Sequence, residues 1–174
     1  MSLCGPTGHD MKNRSLAGAL LALQLTVAPV RAADDAVIAR LATCQDSWLD
    51  WNTADPVAMK DFVDHFRADF SHSGNDPFWT PKSAKSILGL RLLQAFPESV
   101  GMGVGFSVTV DATFDETQAS LEKTLGKPLS KCETSDGMRS CELEIAEKRT
   151  IMLLSGDEPK ATETLVGCYY YYEK

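Results

Sequence analysis

The chain has 174 residues, one domain's worth, with 44% hydrophobic and 24% charged residues, an ordinary globular composition. Acidic residues outnumber basic ones 24 to 17, for a formal net charge of −7. The Lys and Arg residues are scattered, so the chain lacks the basic patch that nucleic acid or an anionic lipid surface requires, and neither is expected as a partner.

The N-terminus reads as a targeting segment. Met11-Lys12-Asn13-Arg14 is a positive start, residues 16–30 are an apolar run, and Val30-Arg31-Ala32 has the small-residue pattern of a cleavage site. This predicts a signal peptide over 1–32, cleavage after Ala32, and one α+β domain over 33–174 in the periplasm or outside the cell. Residues 1–10 are unlike a leader, so Met11 stands beside Met1 as a candidate initiator. The apolar run is shorter than the about 20 residues a membrane span needs, and no cysteine follows the cleavage site for lipid attachment. No membrane insertion is expected after cleavage. Removing the leader leaves 14 basic against 23 acidic residues, from 17 against 24, a balance of −9.

Asp34-Asp35 opens the first predicted helix, with acidic residues at the positive end of its dipole. Val37, Leu41, Cys44 and Trp48 fall on one apolar stripe. Asn52-Thr53-Ala54-Asp55-Pro56 ends it and starts a second helix, with Asp55 as N-cap and Pro56 at the first helical position. Met59, Phe62, Val63, Phe66 and Phe70 form its apolar stripe, and it is expected to stop near Ser73-Gly74. A short link between two such helices predicts an antiparallel α-hairpin. The other side of the second helix carries Asp61, His65, Asp69 and His72. Two carboxylates and two imidazoles on one face are candidates for a metal or proton-relay site. The alternative is a solvated polar face, and neither metal nor cofactor is expected.

Asn75-Asp76-Pro77 and Thr80-Pro81 are turn signals, with Phe78 and Trp79 between them covering a core edge. A short strand is predicted over 86–90, and Pro97 ends the apolar run. Gly101, Gly103 and Gly105 resemble a phosphate loop only in composition. They lead into Val104, Phe106, Val108 and Val110 at alternate positions, which is a strand and not a loop that opens a helix. The three glycines would leave a bare strip of backbone on the opposite face. Thr113-Phe114-Asp115-Glu116 is a capping box for a helix with Phe114, Leu121 and Leu125 on one side, Gly126 just past its end, and Pro128 preventing continuation.

Export makes the four cysteines beyond the leader, Cys44, Cys132, Cys141 and Cys168, disulfide candidates. Asp136-Gly137 is a type I′ turn signal. Counting outward from it pairs Ser135 with Met138, Thr134 with Arg139, Glu133 with Ser140, and Cys132 with Cys141. Hydrogen-bonded and open pairs alternate, so the two cysteines form an open pair, with Cα atoms about 4.5 Å apart, inside disulfide range. Cys44 and Cys168 remain for each other. Zinc sites use short paired spacings such as C-x2-C, and none occurs. Further strands are predicted over 139–146, 151–154 and 162–172. The last ends in Tyr169, Tyr170, Tyr171 and Tyr172, which split between its two faces and offer amphipathic rings for protein contact.

From Phe114 to Tyr172 the order is helix, Leu125-Gly126-Lys127-Pro128, then a β-meander. This resembles the small outer-membrane-assembly lipoproteins of the SmpA/OmlA kind and the β-lactamase-inhibitor-like modules, although the lipidated cysteine of the former is missing. The whole pattern also resembles small exported proteins of Gram-negative bacteria. The resemblance implies a helical pair on an antiparallel sheet, used for protein contacts. The expected fold is α+β, an N-terminal α-hairpin packed on an antiparallel sheet of about five strands with one further helix and two disulfides. No nucleophile elbow, H-E-x-x-H pattern or unpaired mature cysteine is present, so a non-enzymatic binding or inhibitor module is expected, with another envelope protein as partner. The alternatives are a ligand carrier with Trp79, Phe96 and Met102 lining an apolar pocket between helices and sheet, and an envelope enzyme using His65 and His72.

Overall fold

The structure, a computed structural model, describes residues 35–48, 55–97 and 103–171. Every described residue belongs to one compact unit. The predicted signal peptide, the Asn52-Thr53-Ala54 link, Gly101, Met102 and Tyr172 lie outside the described residues. No described helix is long and apolar enough to cross a membrane.

The fold is α+β. Its helices are α1 (Asp35–Ala42), α2 (Pro56–Asp69) and α3 (Phe114–Leu125). A two-stranded ribbon pairs β1 (Phe70–Ser71) with β2 (Thr80–Pro81). The main sheet has seven antiparallel strands in the order β3-β4-β5-β9-β8-β7-β6. These are β3 (Ser86–Ile87), β4 (Leu90–Phe96), β5 (Gly103–Asp111), β6 (Lys131–Ser135), β7 (Met138–Ala146), β8 (Arg149–Gly156) and β9 (Glu163–Tyr171).

Seven strands replace the expected five. Part of the excess comes from Leu88-Gly89. Both residues take positive φ, 53° and 75°, and together they form a two-residue hairpin turn that divides the apolar run into β3 and β4. The expected single strand over 86–90 is therefore two strands, joined at that turn. The helices are also shorter than their stripes. α1 stops at Ala42, because Cys44 adopts φ 59° and turns the chain out of the helix. A left-handed residue that is not glycine costs about 1 kcal/mol or more, and the bond from Cys44 to Cys168 holds it in place. α2 ends at Asp69, not near Gly74, and Phe70 passes directly into the ribbon. Lys82 supplies the cap, donating from Nζ to the Ala68 carbonyl at 2.7 Å and from its backbone N–H to the Asp69 carbonyl at 2.9 Å. Of the expected α2 stripe, Phe62, Phe66 and Phe70 are buried, whereas Val63 is 44% exposed.

Strand alternation builds the core. Phe106 of β5 pairs with Cys168 of β9, then Ile151 of β8 and Leu143 of β7, forming one row across the sheet. Val108, Val166, Leu153 and Cys141 form a second. All eight are buried, in one cluster with Val37, Ile38 and Leu41 of α1, Phe62 and Phe66 of α2, and Phe114 and Leu121 of α3. Trp48, just past α1, joins Phe62, Phe66 and Phe106 with ring centroids 5.3–6.1 Å apart, so aromatic packing links α2 to the sheet. Lys85 is 5% exposed and reaches Asp69 at 3.2 Å and Asp35 at 3.7 Å, tying the ends of both helices to the chain before β3. At the crossing of β5 and β9, a Cβ on Gly105 would stand 1.9 Å from the Cys168 carbonyl oxygen, so only glycine fits there.

Candidate functional site

The β6–β7 hairpin folds in the register that the sequence predicts. Asp136 and Gly137 take φ 51° and 77°, and Ser135–Met138, Thr134–Arg139, Glu133–Ser140 and Cys132–Cys141 are partners. Cys132 and Cys141 are disulfide-bonded with Cα atoms 4.0 Å apart, closer than the expected about 4.5 Å. Cys44 and Cys168 form the second bond, with Cα atoms 5.0 Å apart.

The two bonds differ in environment. Cys44 and Cys168 are 2% and 0% exposed. Around them, Arg149 donates from Nη2 to the Cys44 carbonyl and lies over the Tyr170 ring, and the Tyr170 hydroxyl donates to the Asp46 carbonyl at 3.3 Å. Asp46 itself is buried and accepts from Arg40 Nε at 2.6 Å. Cys141 is buried at 1%, but its partner Cys132 is exposed, as is every residue of β6. A cleft of about 180 Å³ opens beside the bond, lined by Phe114, Cys132, Thr134, Arg139 and Cys141 among others. The Arg139 guanidinium lies 4.2 Å over the Phe114 ring and pairs with Asp115 at 2.8 Å, fixing α3 against the hairpin.

The entry to β6 is also fixed. Glu122 at the end of α3 accepts from Gln118 at 2.9 Å and from the Leu129 N–H at 3.0 Å. These two bonds, the Gln118 amide first, hold its carboxyl below the ordinary glutamate range. The capping box forms as predicted, with Glu116 accepting from the Thr113 hydroxyl at 2.8 Å and its backbone N–H at 3.0 Å. The Thr113 hydroxyl, and then its N–H, pull the Glu116 carboxyl down likewise.

β6 is an edge strand, with β7 on one side and, among the described residues, no strand on the other. The alternation counted from Ser135–Met138 turns the N–H and C=O groups of Lys131, Glu133 and Ser135 toward β7. Those of Cys132 and Thr134 point outward. The side chains of Lys131 and Glu133 share the face opposite the disulfide.

The helix quartet is not brought together. His65 sits beside Asp61, with Nδ1 against the Asp61 carbonyl at 2.7 Å, Asp69 is bound to Lys85, and His72 lies beyond the helix end, stacked on Trp79 at 4.6 Å. No cluster of three or more metal-ligating side chains occurs among the described residues. Trp79 also packs on Phe66, and Phe96 on Phe78. Tyr169 is 7% exposed, and Tyr170 is half-buried over Arg149; the side chain of Tyr171 lies outside the description. The sequence places the contact surface on the sheet and at the Tyr169–Tyr172 end, and uses the hairpin only for pairing. The uniform polarity of Lys131, Glu133, Thr134 and Ser135 is the signal for an open edge that was available there.

No protein-family model, curated protein or solved structure matches the chain.

Proposed function

We propose that this chain is a non-enzymatic binding module of the cell envelope, exported behind its leader, and that the outer edge of β6 is its recognition surface. The partner is an extended segment of another envelope protein, which adds to the sheet as an eighth strand and hydrogen-bonds to the backbones of Cys132 and Thr134. The observation that carries this reading is a five-residue edge strand, exposed throughout, with a cross-strand disulfide holding it in extended form. Such bracing lowers the ordering cost of association. Lys131 and Glu133 on one face favour a partner strand with a carboxylate and a basic group two residues apart. Within this reading α1 and α2 are a helical pair that backs the sheet, and Tyr169 and Tyr170 serve the core.

The test is site-specific photo-crosslinking of the exported chain in a Gram-negative envelope. A probe at Lys131 is expected to give a discrete adduct, and one at Asp76 in the exposed loop before β2 is expected to give none. Thr134→Pro removes an outward N–H while leaving the hydrogen bonds to β7 in place, and it is expected to abolish the adduct. Equal labelling from both probes, or an adduct indifferent to the proline, would refute the assignment.

A further inference from the structure

We infer that the Cys132–Cys141 bond is a thiol–disulfide exchange site whose attacked sulfur is Cys132. The inference does not rest on the partner proposed for β6; it concerns the chain with that edge unoccupied. It comes from where the bond lies in the sheet. The second core row runs Val108, Val166, Leu153, Cys141 and then Cys132, so the disulfide is the end of a buried row that reaches the sheet's edge.

Exchange requires the incoming thiolate to approach along the line of the two sulfurs, opposite the leaving one. For attack on Cys132, that line leaves the sheet past β6, where no described strand stands. For attack on Cys141, it would run back over β7 toward Leu153, which is 0% exposed. Cys132 is exposed and Cys141 is 1% exposed, so access favours the same sulfur. Arg139, two residues before Cys141 on the same face, lines the same cleft, with its guanidinium held by Asp115 and the Phe114 ring. The Cys44–Cys168 bond has neither approach, since both of its residues are buried in the core.

The reactant is a thiol, and for a full turnover a dithiol. Its thiolate bonds to Cys132 Sγ, the Sγ–Sγ bond breaks, and Cys141 leaves as a thiolate that takes a proton from water. The second thiolate of the reductant then attacks its own sulfur in the mixed disulfide and releases Cys132 as a thiolate. Two electrons pass to this chain, its disulfide becomes two thiols, and the reductant ends as a disulfide. The same chemistry could come from a small thiol or from a protein dithiol.

The oxidised, folded chain is incubated without denaturant in two arms. One contains reduced glutathione, and the other a reduced thioredoxin whose resolving cysteine is changed to serine so that mixed disulfides persist. Quenching by alkylation and peptide mapping then locates the adducts. An adduct on Cys132 at least about tenfold above that on Cys141, Cys44 or Cys168 is expected. An adduct in the glutathione arm alone supports the site with a small thiol as its reactant, and one in the thioredoxin arm supports it with a protein dithiol. An adduct centred on Cys141, equal opening of both bonds, or no adduct in either arm would overturn the inference. A Cys132→Ser/Cys141→Ser chain that keeps the native far-UV spectrum and yields no adduct is expected, and persistent labelling in it would count against the site.

Discussion

Replacing Cys44 and Cys168 together by alanine tests how the two halves of the chain are joined. The bond spans a sequence separation of 124, against 9 for Cys132–Cys141. In the chain-entropy treatment the long loop restricts the unfolded ensemble by about 5 kcal/mol and the short one by about 2.7 kcal/mol. Both sulfurs of the long bond are buried, and the space left by deleting them adds about 1 kcal/mol. The total, about 6 kcal/mol, is comparable to the whole stability of many domains, at about 5–15 kcal/mol. Urea unfolding followed by tryptophan fluorescence and far-UV circular dichroism measures it. The midpoint is expected to fall sharply and the slope to rise, because the unlinked denatured chain exposes more surface. The hairpin double variant, Cys132→Ala/Cys141→Ala, is expected to lose less than half as much. A loss below about 2 kcal/mol, or one no larger than the hairpin variant's, would refute an entropic joining of the N-terminal helix to the last strand.

Gly105→Ala drives a Cβ into the Cys168 carbonyl and is expected to cost about 3 kcal/mol or more, or to prevent folding; thermal unfolding measures it, and a neutral result would mean β5 and β9 are spaced differently. Lys85→Met leaves Asp69 and Asp35 without the buried ammonium between them, and about 2 kcal/mol of destabilisation is expected by urea unfolding, discounted from a fully buried pair because both carboxylates reach solvent. Thr113→Ala removes the cap of α3 and is expected to cost about 1 kcal/mol; hydrogen exchange at the start of α3 locates the loss. Glu116 and Glu122 have folded pKa values below the ordinary 4.5, so their contribution is complete above that pH and is lost as pH falls through the lower folded values. Acid titration of unfolding is expected to show that loss reduced in Thr113→Ala and Gln118→Ala, and an identical acid profile in both would contradict it.

Local chemistry made parts of this fold readable. Asp136-Gly137 dictated the hairpin register, and with it both disulfides, because a two-residue turn leaves no freedom in counting outward. The capping box and Gly126 bounded α3 for the same reason. Long-range demands were not readable. Nothing near Cys44 says that it leaves the helix; its αL turn is set by a partner 124 residues away. The end of α2 depends on Lys82 and the ribbon, and the Asp61, His65, Asp69, His72 spacing assumed three more residues of helix than form. Leu88-Gly89 is not legible as a turn, because a lone glycine in an apolar run also fits a bulge. The site followed the same division. Pairing of Cys132 was local and visible, whereas its place at the sheet's edge depends on the strand order.

That order has a consequence for biogenesis. β9 follows every other strand in the sequence yet lies between β5 and β8. Until residues 163–171 are delivered, the two wings of the sheet share no backbone pairing and Cys168 is not there to be oxidised. Each wing can pair within itself, but the sheet of such a polypeptide closes only when this keystone strand arrives.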